Sequence, residues 1–493
     1  MIQIDLSMDY FQYDIYTLIQ AFFPGEEIKV TFQEEIQKEF NGIFLKTIYT
    51  ESGVTFRLTE SGCESIREKT VVWDNDDRKW RKRQLKICLY HMLSEHTGKL
   101  LPWGNLTGIR PVKIVMNILE QGKTLEEARR ELKEIYCMTD EKIELALEIA
   151  NEELRKLSEF DYSTGYSLYV GIPFCPTTCL YCSFTSYPII RWKERTEEYL
   201  QSLFEELTYI SEKMKNVRLD SVYIGGGTPT TLEAEQLRAL IGFIREKFDC
   251  SHVKEFSVEA GRPDSITREK LVVLKESGID RISINPQTMN DETLKVIGRQ
   301  HSVEDIRKAF ALAREVGFST INMDIILGLP GENVSHVKHT MEEIKKLSPE
   351  NLTVHTLALK RAARLKLHID DYEEDINAAP EEMMKIAAQE AESMGMKPYY
   401  LYRQKNMGGN LENVGYAKEG HTGLYNILIM EEKQTIIAAG AGASTKFLVE
   451  EGQIHRVENV KDVSNYMERI HEMIERKEEV LKEYDSQICG GLC

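Results

Sequence analysis

From Ser167 onward one alternation repeats along the chain. A short β-branched or aromatic run closes on glycine, proline or a polar residue, and a charged stretch with apolar residues at helical spacing follows. The runs are SLYVGIP (167–173), SVYIGGG (221–227), EFSVEAG (255–261), RISINPQ (281–287), TINMDIILGLP (320–330) and LTVHTLAL (352–359). Amphipathic stretches at 194–214, 234–248, 267–278 and 303–317 lie between them. Strand–helix alternation of this kind predicts an α/β fold, a parallel sheet with helices outside. For six units the expected form is an incomplete parallel (β/α)6 barrel.

Residues 1–165 lack that alternation and predict an N-terminal α+β accessory domain. Within it, 124–136 and 140–157 read as a helical pair joined near Cys137, and 161–165 as a linker. LPWGNLTGIRP (101–111) reads as a packed, turn-rich connection carrying an exposed-looking Trp103. The barrel is expected over 166–375 and a mixed, substrate-covering region over 376–493. That last region begins as helix and continues into a glycine- and asparagine-rich stretch at 399–423, expected to be a binding loop. It ends in ICGGLC, whose Cys489 and Cys493 read as part of a mobile tail.

A chain of 493 residues exceeds what one core organises, so two or three domains are expected. A net charge of −18 argues against a broad nucleic-acid or anionic-membrane surface, and neither nucleic acid nor membrane insertion is expected. An anionic substrate would then need a local basic pocket. The start lacks a basic, cleavable leader, and no apolar run approaches membrane-spanning length. Nine cysteines, with Cys63, Cys88, Cys137 and Cys250 scattered, do not form the framework of a secreted mini-domain. A cytoplasmic protein is expected.

The chemistry concentrates after the first run, where Cys175, Cys179 and Cys182 stand at i, i+4 and i+7. Three thiolates so spaced can wrap an iron–sulfur cube, ligating three irons and leaving the fourth open to a small chelating ligand. Zinc loops usually show two CxxC pairs or Cys/His mixtures, and no second pair of that type follows. GGGTPT (225–230) ends the second run with glycines that let backbone approach a ligand. Glu259 and Asp324 put carboxylates on apolar strands, where each needs a partner. In parallel α/β folds, ligands gather at the strands' C-terminal ends.

CPTTCLYC matches the CxxxCxxC signature of radical S-adenosylmethionine enzymes. With YVGIPFC, GGGTPT, SVEAG, INPQT and MDIILGLPGE it resembles the oxygen-independent coproporphyrinogen III oxidase-like family, from about Leu168 to Leu359. The N-terminal extension and the YRQKN…NLENVGYA segment resemble the HemZ-type coproporphyrinogen dehydrogenases of that family. The resemblance implies a [4Fe–4S] cluster on Cys175, Cys179 and Cys182, with S-adenosylmethionine chelated to its open iron. It places Tyr181 and Ala358 by the adenine, Gly227 and Thr228 by the methionine part, and Gln287, Arg299 and Asp324 by the carboxylate and ribose. Tyr169, Gly226 and Glu259 match positions near a second S-adenosylmethionine, and Tyr169 is the catalytic candidate.

The implied reaction is oxidative decarboxylation of coproporphyrinogen III propionates to vinyl groups, with a reductant such as flavodoxin or ferredoxin as partner. Lys360, Arg361 and Arg364, with Arg403 and Lys405, are candidates to hold the tetrapyrrole's carboxylates. Two positions depart from the oxidase pattern: Gly171 replaces the histidine of HIPFC, and Phe184 replaces a further cysteine. CSF at 182–184 instead resembles heme chaperones and heme-acting radical methyltransferases, so a heme chaperone without turnover and a methyltransferase stay open as alternatives.

Overall fold

The computed structural model describes residues 1–33, 41–62, 66–184, 186–358, 365, 379–404, 411–449 and 453–490, with side chains as far as Lys482. Lys360, Arg361, Arg364, Lys405, Cys63, the side chain of Cys489 and all of Cys493 lie outside the described residues.

The chain divides into two compact units, Met1–Ala150 with a short stretch from Arg403, and the remainder from Asn151. In the first, strands β1 (Ile2–Leu6), β2 (Ile28–Phe32), β3 (Ile43–Thr50), β4 (Gly53–Glu60) and β5 (Arg67–Val72) form a sheet in the order β2-β1-β3-β4-β5. Helices α1 (Gln12–Phe22) and α2 (Arg78–Thr97) close its core on Ile4, Ile15, Leu18, Phe56, Leu85 and Leu89. Full burial of each such side chain contributes about 1.5–3 kcal/mol. Trp103 is completely buried rather than exposed. Asn105 accounts for the loop's course, its Nδ2 donating to Ile135 O at 2.8 Å.

The second unit carries the predicted alternation. Strands β6 (Gly165–Ile172), β9 (Arg218–Gly226), β10 (Glu255–Gly261), β11 (Arg281–Ile284), β12 (Thr320–Leu327) and β13 (Asn351–Thr356) lie parallel and side by side in chain order. A short pair, β7 (Phe174–Cys175) and β8 (Tyr187–Pro188), stands apart from them. Nearly every residue of the six strands is buried or half-buried, as expected of strands covered on both faces.

The sheet extends beyond the six predicted units and does not close on itself. Among the described residues it has eleven strands. A seventh parallel strand, β16 (Thr435–Ala439), pairs with β6 and is followed by antiparallel β17 (Ser444–Leu448) and β18 (Ile454–Glu458). At the other edge, β15 (Asn413–Lys418) pairs antiparallel with β13, and β14 (Met396–Tyr402) pairs antiparallel with β15. Residues 399–402 and 413–418 of the stretch expected as a binding loop are therefore strand, β14 at the edge and β15 inside it; YYLY and NVGYA pair as a ladder in which Tyr399, Tyr400, Val414 and Tyr416 are buried.

The helix Ile470–Gly490 is anchored by a buried network. Lys477 Nζ donates to Glu206 Oε1 at 2.6 Å and Asn459 Oδ1 at 2.7 Å, and Glu206 Oε2 accepts from Gly440 N and Tyr466 Oη. Both ions are fully buried, so each is tolerated only because the other and several hydrogen bonds satisfy it.

Candidate active site

The cysteine loop is held at several points. Phe174 and Cys175 pair with Tyr187 and Pro188, and Tyr187 N donates to Pro173 O. Leu180 N reaches Ile297 O, and Thr177 Oγ1 reaches Gly298 O at 3.0 Å. The second strand's glycine loop lies against the cysteine segment: Gly227 N bonds Ile172 O, and Thr228 N bonds Phe174 O. A Cβ on Gly227 would meet Phe174 O at 2.5 Å and Cys175 Sγ at 3.0 Å, so only glycine allows this approach. Thr228 Oγ1 lies 3.5 Å from Cys175 Sγ. Burial, with Cys182 and Cys179 nearby, pushes the Cys175 thiol up to about 11. Among the described residues no cluster of His, Cys, Asp and Glu stands at metal-ligating spacing, and the three thiols are neighbours on one loop rather than a closed ligand set.

Two buried guanidiniums face Cys179. Arg262 Nη1 is 3.9 Å from its sulfur and bonds Thr177 O and Oγ1. Arg299 lies near enough to Cys179 for the two to interact electrostatically, and it donates to Asn285 O and, at 3.1 Å, to Tyr181 Oη. Beside it, Asn285 Oδ1, Gln287 Oε1 and Arg299 Nε are buried without a hydrogen-bond partner. Gln287 holds left-handed backbone at φ 68°, fixed by Gln287 N to Asp324 O and Ile326 N to Gln287 O. Unsatisfied buried polar atoms and strained backbone collect where a ligand completes the site.

Towards the centre of the sheet the chemistry changes. Tyr169, Tyr223 and Tyr425 stack, with Tyr223 and Tyr425 centroids 4.4 Å apart. Tyr223 Oη donates to Glu259 Oε1 at 2.5 Å, and Gly226 N to Oε2 at 3.3 Å. Burial, reinforced by the Asp324 charge, raises the Glu259 carboxyl to about 7. Asp324 goes the other way: burial pushes it up, but His355, 3.8 Å away, and Asn322, donating at 2.7 Å, hold it below the usual carboxylate range. Two carboxyl groups of one sheet are thus pushed in opposite directions, Glu259 up and Asp324 down.

The structure therefore brings Cys175, Cys179, Cys182, Tyr181, Gly227, Thr228, Gln287 and Arg299 to one end of the sheet, with Tyr169, Gly226, Glu259 and Asp324 along its inner strands. Ala358 is half-buried just beyond β13. Arg403 groups with the first unit, where it is buried, donates to Leu106 O at 2.8 Å and lies over the Trp103 ring. Arg262, Tyr223, His355 and Tyr425 were not expected. A signal existed for Arg262, an arginine between Gly261 and Pro263 at a strand end, the place that marked the other site residues.

Comparison with known proteins bears on this arrangement. The family model for the Radical SAM superfamily matches residues 169–344. The oxygen-independent coproporphyrinogen-III oxidase-like protein HemZ of Bacillus subtilis is 40% identical over 478 residues, 93% of this chain and 95% of that protein. The chain belongs to this oxidase-like family of radical SAM proteins. The heme chaperone HemW of Bacillus subtilis is 33% identical over 62% of this chain and 76% of its own length. Among solved structures, the coproporphyrinogen III oxidase HemN of Escherichia coli, described as a radical SAM enzyme, aligns with a TM-score of 0.53 and 21% identity over 66% of this chain and 73% of its own, a likeness of fold.

Radical SAM proteins use a [4Fe–4S] cluster and S-adenosylmethionine. The residues present fit both. Three thiols on one loop, with two guanidiniums at the middle one, suit an anionic thiolate cluster. The bare glycine approach at Gly227 and the unsatisfied atoms of Asn285, Gln287 and Arg299 suit a polar ligand beside it. Among the described residues no helix is long and apolar enough to cross a membrane.

Proposed function

We propose that the protein is a radical S-adenosylmethionine enzyme that converts propionate side chains of coproporphyrinogen III to vinyl groups. The observation that carries this reading is the extent of the HemZ match, which covers nearly the whole of both chains, accessory unit included. Its reaction class is the one the sheet's inner face suits.

In this reading Cys175, Cys179 and Cys182 hold the cluster. Tyr181, Gly227, Thr228, Gln287, Arg299, Asp324 and Ala358 hold S-adenosylmethionine, and Tyr169, Gly226 and Glu259 line the position of a second ligand. When bound, cluster and S-adenosylmethionine supply the hydrogen-abstracting group after one electron arrives from a flavodoxin- or ferredoxin-like reductant in the cytoplasm. The chain's own contribution is enclosure and charge. The stacked tyrosines keep water from the reacting carbon, Arg299 neutralises a carboxylate, and Glu259 stores a proton at its Oε atoms near neutral pH. Each propionate would give up one hydrogen atom to the hydrogen-abstracting group, then carbon dioxide, and one electron to an external one-electron acceptor, leaving a vinyl group. The six parallel strands are read as curled into a partial barrel around this face, with domains at 1–165, 166–375 and 376–493.

The test is anaerobic incubation of the reconstituted protein with S-adenosylmethionine, reductant and either coproporphyrinogen III or heme, with products read by mass. Conversion of two propionates to vinyls is expected. Stoichiometric heme binding without any product would replace this reading with a chaperone, and a methylated tetrapyrrole would replace it with a methyltransferase.

A further inference from the structure

Arg262 follows β10 directly and is 3% exposed. One side of its guanidinium forks onto Asp264, Nε to Oδ1 at 3.0 Å and Nη2 to Oδ2 at 2.6 Å. The other side turns to the cysteine loop, where Nη1 lies 2.7 Å from Thr177 Oγ1, 3.0 Å from Thr177 O and 3.9 Å from Cys179 Sγ. Asp264 is braced from behind by buried His301, whose Nδ1 is 3.5 Å from Oδ1. A planar fork that is bidentate on one side and shared between a carbonyl, a hydroxyl and a sulfur on the other is within reach of arginine and not of lysine. A buried cation is costly unless paired, and Asp264 supplies the pairing while leaving the near side of the charge on Cys179.

We propose that Arg262 is a positioning residue that seats Cys179 and sets the reduction potential of the cluster. This rests on the reading of Cys175, Cys179 and Cys182 as its ligands. Reduction adds one electron, and so one negative charge, to the cluster. A guanidinium against a ligand sulfur stabilises the reduced form more than the oxidised one, and hydrogen bonding and net charge around the sulfurs are the levers that set such potentials. Arg262 therefore raises the potential, and Asp264, by drawing the guanidinium's charge to itself, moderates the rise. Arg299 is the second cation at Cys179, but its other arm is committed to Tyr181 on the ligand side.

The test compares the anaerobically reconstituted holoproteins of the wild type, R262Q, R262K and D264N. Iron is counted, and the midpoint potential is followed by the electron-spin signal of the reduced cluster as mediators deliver electrons. At a fixed solution potential, R262Q is expected to lower the reduced-to-oxidised ratio about tenfold, about 59 mV for a one-electron couple. R262K should fall between R262Q and the wild type, and D264N should move the potential upward. Coincident potentials, or shifts of R262Q and D264N in the same direction, overturn the proposal. If R262Q loses its cluster, D264N decides: an upward shift supports Arg262, and an unchanged or lower potential refutes it. A wild type that binds no iron through these cysteines fails the ligand reading itself, which iron counts on Cys→Ala variants separate from any failure of Arg262.

Discussion

The cysteine end of the sheet and its tyrosine-lined centre are built from strands of one sheet, yet their electrostatics are opposite. At the first, buried Arg262 and Arg299 bring positive charge to a sulfur and a phenol. At the second, Glu259 and Tyr223 share a short hydrogen bond with no cation placed on it among the described residues, and the carboxyl is pushed towards neutrality. The first environment favours the arrival of electrons; the second favours the retention of a proton. Neighbouring strand ends can thus be specialised for different particles, because a buried charge is decided by its immediate partners and not by the protein's net −18.

The largest effect should come from the cysteines. Changing Cys175, Cys179 or Cys182 singly to Ala is expected to abolish colour and the binding of about four irons per chain after anaerobic reconstitution. Full iron and sulfide in any one variant would remove the electron-favouring side of the contrast.

Next come Arg299 and Asp324, one from each environment. R299Q and D324N are each expected to weaken S-adenosylmethionine binding roughly tenfold to hundredfold with the iron content intact, since a charge-assisted hydrogen bond contributes about 1.5–3 kcal/mol. Calorimetric titration measures this, and unchanged affinity in both variants would make them structural.

A smaller effect sharpens the proton side. Glu259 binds its proton more tightly folded than unfolded, so the folded state carries more protons between about pH 4.5 and 7, and stability falls as pH rises through that window. E259Q, neutral at every pH, should flatten this slope and be relatively more stable at pH 8 than at pH 5. Denaturant melts across pH check it; an E259Q slope equal to the wild type's would show that the carboxyl is ordinary.

The smallest effect expected is none. Deleting residues from Ile488 onward should leave iron content and the rate of S-adenosylmethionine cleavage unchanged. Loss of cleavage with the cluster intact would give the CxxxC pair a role.

Much of the first environment was legible in the sequence because its residues obey one positional rule. Cys175, Gly227 and Gln287 each lie in or just after an apolar run, and runs that end together in space carry their chemistry together. Arg262 obeys the same rule, but nothing in its residue type says that its side chain turns to the cysteine loop and not to solvent. The second environment was less legible. Tyr425 comes from the helix Leu424–Glu431, and His355 from the last parallel strand; nothing local in either segment says which partner its side chain meets. Strand β16 escaped notice because TIIAA is short and lies outside the repeating alternation, so only its long-range pairing with β6 reveals it.

That pairing has a consequence for how the protein is made. Thr435 lies opposite Tyr166, and Ala439 opposite Val170. At synthesis rates of about 5–20 residues per second, the partner strand leaves the ribosome roughly 13–54 s after the strand it must cover. Throughout that interval the strand leading into the cysteines is a bare sheet edge, open to pairing with another nascent chain. Its protection arrives only once β16 has been made, and the anchors Gly440 and Lys477 follow it in the chain. Products stalled before β16 would consequently present the three thiols beside an adhesive edge, which makes synthesis of β16, and not merely of the cysteine loop, the step that renders iron loading safe.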